Sequence, residues 1–430
     1  MNKKINIGIV GLGQIGIYLY KELNLKKKDI EKKTGKIIKI VAISAKNKNK
    51  KRRFPISKKI FYKDPLLIFK KEKIDILFEC IGLSDGISKK VVEAALKNRI
   101  HVITPNKALI SKHGDNLSKL AEKNRVNLEF EAAVAGGIPI LRTIKEGLAT
   151  NRINKVYGIL NGTTNFILSS MDFDKLDFDF ALKKAQKLGY AERNPKADLA
   201  GFDVADKLRI LSALCFNSTI NYKNIYIEGI NNIDQKDVQY SNQLGFKIKL
   251  LGLAEKNNNT IVQKVFPALV KNNSSTAKIN GVLNNVVLEG KPIGSIEMIG
   301  EGAGPKATVS AISSDIISIM KGSIKLPLNT SIEEKNKYKF RDMLNESYES
   351  YLRFDLNVKN TGLVQNIIRK IKKSGIFIQK YKKINFNSNK FFSLIIITKK
   401  TKDPYLRRIV KSFKNKKIYK CVKFIRIQKV

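Results

Sequence analysis

The chain has 430 residues, 43% of them hydrophobic, enough for two or three domains with cores of their own. No apolar run reaches the roughly 18–20 residues that a membrane helix needs. The formal net charge of +45 would attract phosphates, but the lysines are spread along the whole chain beside many Ile and Asn. That is compositional drift, without the motif or aromatic signature of specific nucleic-acid binding.

In chain order, "INIGIVGLGQIG" (5–16) reads as a short buried β-branched strand entering a glycine turn, and "IYLYKEL" continues at helical spacing. The basic start before it is not a signal peptide, because glycines break the apolar run and no small-x-small cleavage site follows. "IIKIVAIS" (37–44), "IDILFECIG" (74–82) and "HVITP" (101–105) read as further strands, with "SKKVVEAALKN" and "NLSKLAEKNR" as helices. Such alternation predicts a Rossmann-type doubly wound parallel sheet over residues 1–130, in an α/β chain.

"RVNLEFEAAV" starts another strand, after which the character changes. "GIPILRTIKEGLA", "GTTNFILSSM", "FDFALKKAQKLG" and "FDVADKLRILSALCF" read as helices among the strands "NKVYGIL", "NTIVQKVFPALV" and "GSIEMIG". These predict a second α/β domain over 131–328. In its 202–216 helix Val204, Leu208, Leu211 and Cys215 fall on one stripe, the mark of an amphipathic helix. The polar, lysine-rich stretch 329–346 reads as a linker. Residues 347–430 follow the order βαββαβ, the ferredoxin-like α+β pattern. Cys80, Cys215 and Cys421 are far apart and read as reduced thiols of a cytoplasmic protein.

Two stretches carry chemistry. "GLGQIG" sets Gly11, Gly13 and Gly16 in the G-x-G-x-x-G spacing between a strand and a helix. The first glycine permits the tight turn, the second lets the backbone reach a pyrophosphate, and the third lets helix and strand pack closely. The pyrophosphate would sit on N–H groups at the helix start, so Gly11, Leu12, Gly13, Gln14, Ile15 and Gly16 are the candidate cofactor residues. No acid lies between Glu31 and Asp64 to accept a ribose hydroxyl. "SAKNKNKKRR" instead offers Lys46, Lys48, Lys50, Lys51, Arg52 and Arg53, which favours NADP over NAD.

The second stretch, "KLGYAERNPKADLAGFDVADK" (187–207), gathers Glu192, Asp198, Asp203 and Asp206. A metal site would want histidines, and His101 and His113 are distant in sequence. Asp198 and Asp203 near a helix start suit the helix dipole. Asp203 and Lys207 are four apart and share a helix face, but such a pair is ordinarily worth a few tenths of a kcal/mol at a surface. Spacing alone leaves the helix-start and catalytic readings open.

The same stretch resembles the signature of the homoserine dehydrogenase family, G-Y-x-E-x-(D/N)-P-x-x-D-(aliphatic)-x-G-x-D-x-x-x-K. Gly189, Tyr190, Glu192, Asn194, Pro195, Asp198, Gly201, Asp203 and Lys207 fall on it. "GLGQIG", "TPNKALI", "EAAVAGGIPI", "NGTTNFIL" and "GEGAG" follow in family order, so the resemblance covers about residues 5–320. The tail from about 349 resembles an ACT regulatory domain.

The resemblance implies interconversion of L-aspartate 4-semialdehyde and L-homoserine with NADP, or NAD, as cofactor. It implies Lys207 as the catalytic lysine with Asp203 as its partner, and Lys107 of "TPNK" as a second lysine near substrate and nicotinamide ribose. Glu192, Asp198, Thr163 and Tyr190 would bind substrate, while Lys46, Gly82 and Gly302 would join the cofactor site. Backbone carbonyls of Glu131, Val134, Gly136 and Ile138 would hold a monovalent cation, sodium or potassium. The family further implies a homodimer or homotetramer and a threonine effector at the tail. Two departures stand out. Gly82-Leu83 replaces the family's frequent pair of glycines. "VKNTGLV" keeps Gly362 but lacks the Asp and Pro of the usual ACT turn, which puts effector binding in doubt.

Overall fold

A computed structural model describes residues 3–430 except 49, 53, 358–361, 386–390 and 415–418. The turn before Gly362 and Arg53 therefore lie outside the described residues. Strands β1 (Lys4–Val10), β2 (Ile37–Ser44), β3 (Phe61–Tyr62), β4 (Ile76–Glu79), β5 (His101–Ile103) and β6 (Leu128–Glu129) form one sheet in the order β3-β2-β1-β4-β5-β6. Every pairing in it is parallel. The chain enters at the centre, and the strand order reverses between β1 and β4, where ligands of such sheets gather beyond the strand ends. The expected doubly wound sheet is present.

One layer of this unit comes from far along the chain. The Pro305–Met320 helix packs against the Gln14–Leu25 helix. Its Ile312, Ile316 and Ile319 share a core with Ile7, Ile9, Leu19 and Leu23. Nothing local to 305–320 says which sheet this helix covers.

The second sheet is built from β7 (Arg152–Ile159), β8 (Tyr226–Ile227), β9 (Phe246–Asn257), β10 (Thr260–Lys271), β11 (Leu283–Lys291), β12 (Gly294–Glu301), β13 (Lys339–Phe340), β14 (Ser347–Asn357), β15 (Ile378–Asn385), β16 (Phe391–Lys402) and β17 (Tyr419–Ile427). Its order is β12-β11-β7-β9-β10-β17-β14-β16-β15, with β8 and β13 also pairing with β10. The last four strands run β17-β14-β16-β15, antiparallel throughout. With helices Leu363–Lys373 and Asp403–Lys414 this is the ferredoxin-like arrangement read from the sequence.

That C-terminal unit is continuous with the middle of the molecule. β17 pairs with β10 through Ala268–Arg426 and Leu269–Ile427. The buried Arg353 reaches Asp237 at 2.7 Å and Asp234 at 2.6 Å, and Arg426 reaches Glu228 at 2.8 Å. Residues 329–346, read as a linker, lie on the body: β13 pairs with β10, Met343 is buried, and Lys335 donates to the Leu328 carbonyl and to Asn217 Oδ1.

Two local expectations change. The Phe202–Phe216 helix is buried on nearly every side from Asp203 to Phe216, not along one stripe. It lies between the second sheet and the Lys107–Asn124 helix, so both its faces meet protein. The strand expected over "RVNLEFEAAV" stops at Glu129, and a 3₁₀ turn follows at Glu131–Ala133. There the buried Glu131 carboxylate accepts the N–H groups of Leu141 and Arg142 at 2.9 and 2.8 Å. No helix among the described residues is long and apolar enough to cross a membrane.

Candidate active site

The glycine loop lies at the switch point between β1 and β4. Gly11 has φ +94°, and a Cβ there would lie 2.5 Å from the Cys80 carbonyl group. A Cβ on Gly16 would come within 1.9 Å of the Gly11 carbonyl oxygen, so helix and turn can approach only with glycine at this position. Gly13 differs, since its Cβ would meet nothing within 4 Å. It is also the N-cap of the Gln14–Leu25 helix, with no side chain capping the helix start. Gly13 thus borders open space at a helix N-terminus, a setting that favours an anion.

Beyond β2 the basic segment closes around a cavity of about 200 Å³ lined by Lys48, Lys50, Arg52, Phe54, Ile56, Lys58 and Phe61, among others. Arg52 is folded onto the loop, donating to the carbonyls of Asn47, Lys48 and Lys50. Lys46, singled out from the sequence, is exposed and does not line this cavity.

Lys207 and Asp203 stand one turn apart near the start of the Phe202–Phe216 helix, both buried. Lys207 Nζ donates to Asp203 Oδ2 at 2.7 Å and to the Leu160 carbonyl at 2.6 Å. The other oxygen of the same carboxylate, Asp203 Oδ1, is 3.1 Å from Lys107 Nζ. Lys107 is the first residue of its helix, at the end of β5, and is 42% exposed. One carboxylate therefore bridges two lysines, one from each sheet's domain. Burial opposes ionisation of Asp203, but the charges of Lys207 and Lys107, with hydrogen bonds from Lys207 and Asn161, hold its carboxyl well below the usual range. The Asp203 charge in turn raises Lys107 against the effect of burial.

Asn161, which sequence reading left inside "NGTTN" without a role of its own, joins the acids. Its side-chain amide donates to Asp198 Oδ1 at 2.8 Å and to Asp203 Oδ2 at 2.9 Å, while its oxygen accepts Thr164 N–H and caps the Gly162–Phe173 helix. Burial, with the nearby Asp203 charge, pushes the Asp198 carboxyl up. Thr163, one residue inside that helix, donates to the Tyr190 carbonyl at 2.6 Å, and the Tyr190 ring lies 5.0 Å from that of Phe166. Asp206 faces the other domain, accepting the Ser111 hydroxyl at 2.7 Å. Glu192 is exposed on the loop before Asp198, outside this network.

The remaining candidates lie in two further places. Gly82, at φ +88°, belongs to the loop after β4. Gly302 is buried, and a Cβ there would strike the Asn284 amide at 1.9 Å, so its missing side chain makes room for Asn284. The Glu131–Ile138 turn contains consecutive left-handed residues, Ala135 and Gly136. The Glu131 carbonyl accepts Val134 N–H at 3.4 Å and that of Ile138 accepts Ile140 N–H at 2.8 Å. No group of three or more His, Cys, Asp or Glu side chains suited to a metal occurs among the described residues.

Comparison with known proteins agrees with this geometry. Residues 11–131 match the family model for the homoserine dehydrogenase NAD-binding domain, and residues 139–317 the model for homoserine dehydrogenase. The chain is 40% identical to the homoserine dehydrogenase of Neisseria gonorrhoeae, over 74% of this chain and 73% of that protein. It is 37% identical to that of Pseudomonas aeruginosa, over 76% and 75%. The crystal structure of a homoserine dehydrogenase from Thiobacillus denitrificans superposes with a TM-score of 0.89 at 31% identity, covering 99% of each chain. With both family models matched and relatives of 37% and 40% identity covering about three-quarters of each chain, the chain belongs to the homoserine dehydrogenase family.

Proposed function

We propose that this homoserine dehydrogenase works through Lys207 as the proton donor to the oxygen of L-aspartate 4-semialdehyde, with Asp203 anchoring it. The geometry of Lys207 carries this reading. An ammonium has three donors; the Leu160 carbonyl and Asp203 take two, and the third is left for the substrate oxygen. When bound, the nicotinamide supplies the hydride. Reducing an aldehyde builds negative charge on its oxygen, which the Lys207 ammonium stabilises and protonates. In the direction from L-homoserine the neutral amine takes that proton back. Lys107, from the nucleotide-binding domain, holds the opposite side of Asp203. Asp198 and Glu192 provide negative charge for the substrate α-ammonium. The start of the Gly162–Phe173 helix, with Thr163, suits its carboxylate, and Tyr190 borders the same space.

The Gly11–Gly16 loop fits a pyrophosphate, since the space beside Gly13 is open and the helix start is uncapped. NADP is the preferred cofactor, because the cavity lined by Lys48, Lys50, Arg52 and Lys58 suits the 2′-phosphate and no acid competes for it. Lys46, Gly82 and Gly302 are kept as cofactor-site residues on the strength of the family resemblance. The Val134 and Gly136 carbonyls accept no hydrogen bond among the described residues. With those of Glu131 and Ile138 they offer hard oxygen donors that fit a sodium or potassium ion. The C-terminal unit is read as an ACT-like regulatory domain with threonine as its effector, and the enzyme as a cytoplasmic homodimer or homotetramer.

The deciding assay follows NADPH absorbance with L-aspartate 4-semialdehyde. Turnover is expected for the wild-type chain and at least a ~100-fold loss for Lys207→Ala. Full activity in that variant would remove the role given to Lys207. A preference for NADH would overturn the NADP reading, and a rate indifferent to threonine would mark a silent tail.

A further inference from the structure

Neither the glycine motif nor the acidic window includes Glu79. It ends β4, is fully buried and takes part in no ion pair among the described residues. Its two oxygens serve two different structures. Oε1 accepts the backbone N–H groups of Ile81 at 2.8 Å and Gly82 at 3.2 Å, in the loop after the strand. Oε2 accepts the Thr104 hydroxyl at 2.7 Å and the Asn106 side-chain amide at 3.2 Å. The same Asn106 amide donates to the Leu83 carbonyl at 2.8 Å. Its oxygen accepts Leu109 N–H at 3.1 Å, which caps the helix beginning at Lys107.

Four donors converge on this one side chain, two on each oxygen. A glutamine would turn an NH₂ group toward either the loop or the Thr104–Asn106 pair. Asn106 could answer it only by rotating its amide, which would present NH₂ to Leu109 N–H and undo the cap. An apolar residue would leave four donors to find other partners. Burying a carboxylate carries a desolvation cost that an apolar core residue avoids. What it provides here is a fixed separation between the loop at residues 81–83 and the helix start that carries Lys107.

We propose that Glu79 is a positioning residue of the dehydrogenase reaction. Through Asn106 it fixes where Lys107 meets Asp203, and through Ile81 and Gly82 it fixes the loop beside the cofactor. This rests on the roles given above to Lys107 and to the dinucleotide.

The test is a kinetic cycle on the full chain, with wild-type turnover measured first. An inactive wild type sinks the functional reading and this proposal together, whereas an active wild type leaves Glu79 to be judged by itself. Glu79→Gln is expected to lower kcat by about 10- to 100-fold, the scale of an ångström misplacement. It is also expected to weaken NADPH binding several-fold, read from NADPH fluorescence in a protein without tryptophan. Because Glu79 acts on kcat through Lys107, the Glu79→Gln/Lys107→Ala double variant should be no slower than Lys107→Ala alone. A merely structural role would make the two losses multiply, and that result, or a kcat within twofold of wild type for Glu79→Gln, overturns the proposal. If Glu79→Gln does not fold, Thr104→Ser keeps the hydroxyl that donates to Glu79 and accepts Asn106 N–H, and Thr104→Val removes both bonds; the two run the same cycle, with a loss expected only for valine and the same non-additivity.

Discussion

Asn161 is easily passed over beside two lysines and several acids, yet it holds two carboxylates together and caps a helix. Asn161→Ala should cost about 1 kcal/mol of stability from the lost cap and lower kcat, because Asp198 and Asp203 lose their shared donor. Asn161→Asp keeps a capping oxygen but sets a third carboxylate beside them. Crowding like charges in a buried site, it should melt below Asn161→Ala and remain slow, and thermal melts beside steady-state rates would check both. Lys335 makes a different kind of prediction. Burial pushes its ammonium down to about 8, whereas the unfolded chain keeps that proton to about pH 10.4. The unfolded state thus binds more protons in that window, so Lys335 makes stability rise from about pH 8 to pH 10. A melting series for Lys335→Met should lose that rise. Of these residues, Asp203 and Lys207 were legible because helical spacing sets them on one face and the family signature falls on both. Asn161, Asn106 and the Leu160 carbonyl were not, because their roles depend on which way an amide or carbonyl points, and distant packing decides that.

At the scale of elements, the tightest constraint is the contact of the first helix with the glycine turn. Gly16→Ala would put a methyl group 1.9 Å from the Gly11 carbonyl oxygen, and backbone cannot yield as a flexible side chain can. The variant should lose cofactor binding and melt several degrees lower, which NADPH titration and calorimetry would show. The strands and helices themselves were largely readable. Alternating β-branched runs and amphipathic segments suffice for the parallel sheet, and the βαββαβ order for the C-terminal unit. The Phe202–Phe216 helix departs from its expected stripe because a second layer of protein covers the face that would otherwise meet solvent. Its full burial also confines Lys207, whose ammonium finds its partners in the protein. Periodicity reports the apolar face of a helix but not what is stacked on the other side.

Across the whole molecule, the C-terminal unit is attached by a shared sheet and by buried charges. Removing residues 347–430 would strip β10 of its β17 partner and leave Asp234, Asp237 and Glu228 without Arg353, Lys423 and Arg426. It would also take Tyr351, Ile395, Ile397, Ile425 and Ile427 out of the core they share with Val265 and Leu269, so the truncated chain should be strongly destabilised, while the full chain melts its middle and tail in one calorimetric transition. A separate low-temperature transition for the tail would contradict this.

The Pro305–Met320 helix has a consequence for how the molecule is made. The nucleotide-binding sheet leaves the ribosome before the middle of the molecule, yet one wall of its core is the helix ending at residue 320. Until that wall is synthesised, the Gln14–Leu25 helix can pack on the sheet through Leu19 and Leu23 but lacks the cover of Ile312, Ile316 and Ile319. Domains ordinarily fold in the order they emerge, but here the earliest part waits for some two hundred later residues. The enzyme's first domain in sequence is thus among the last to be completed in time.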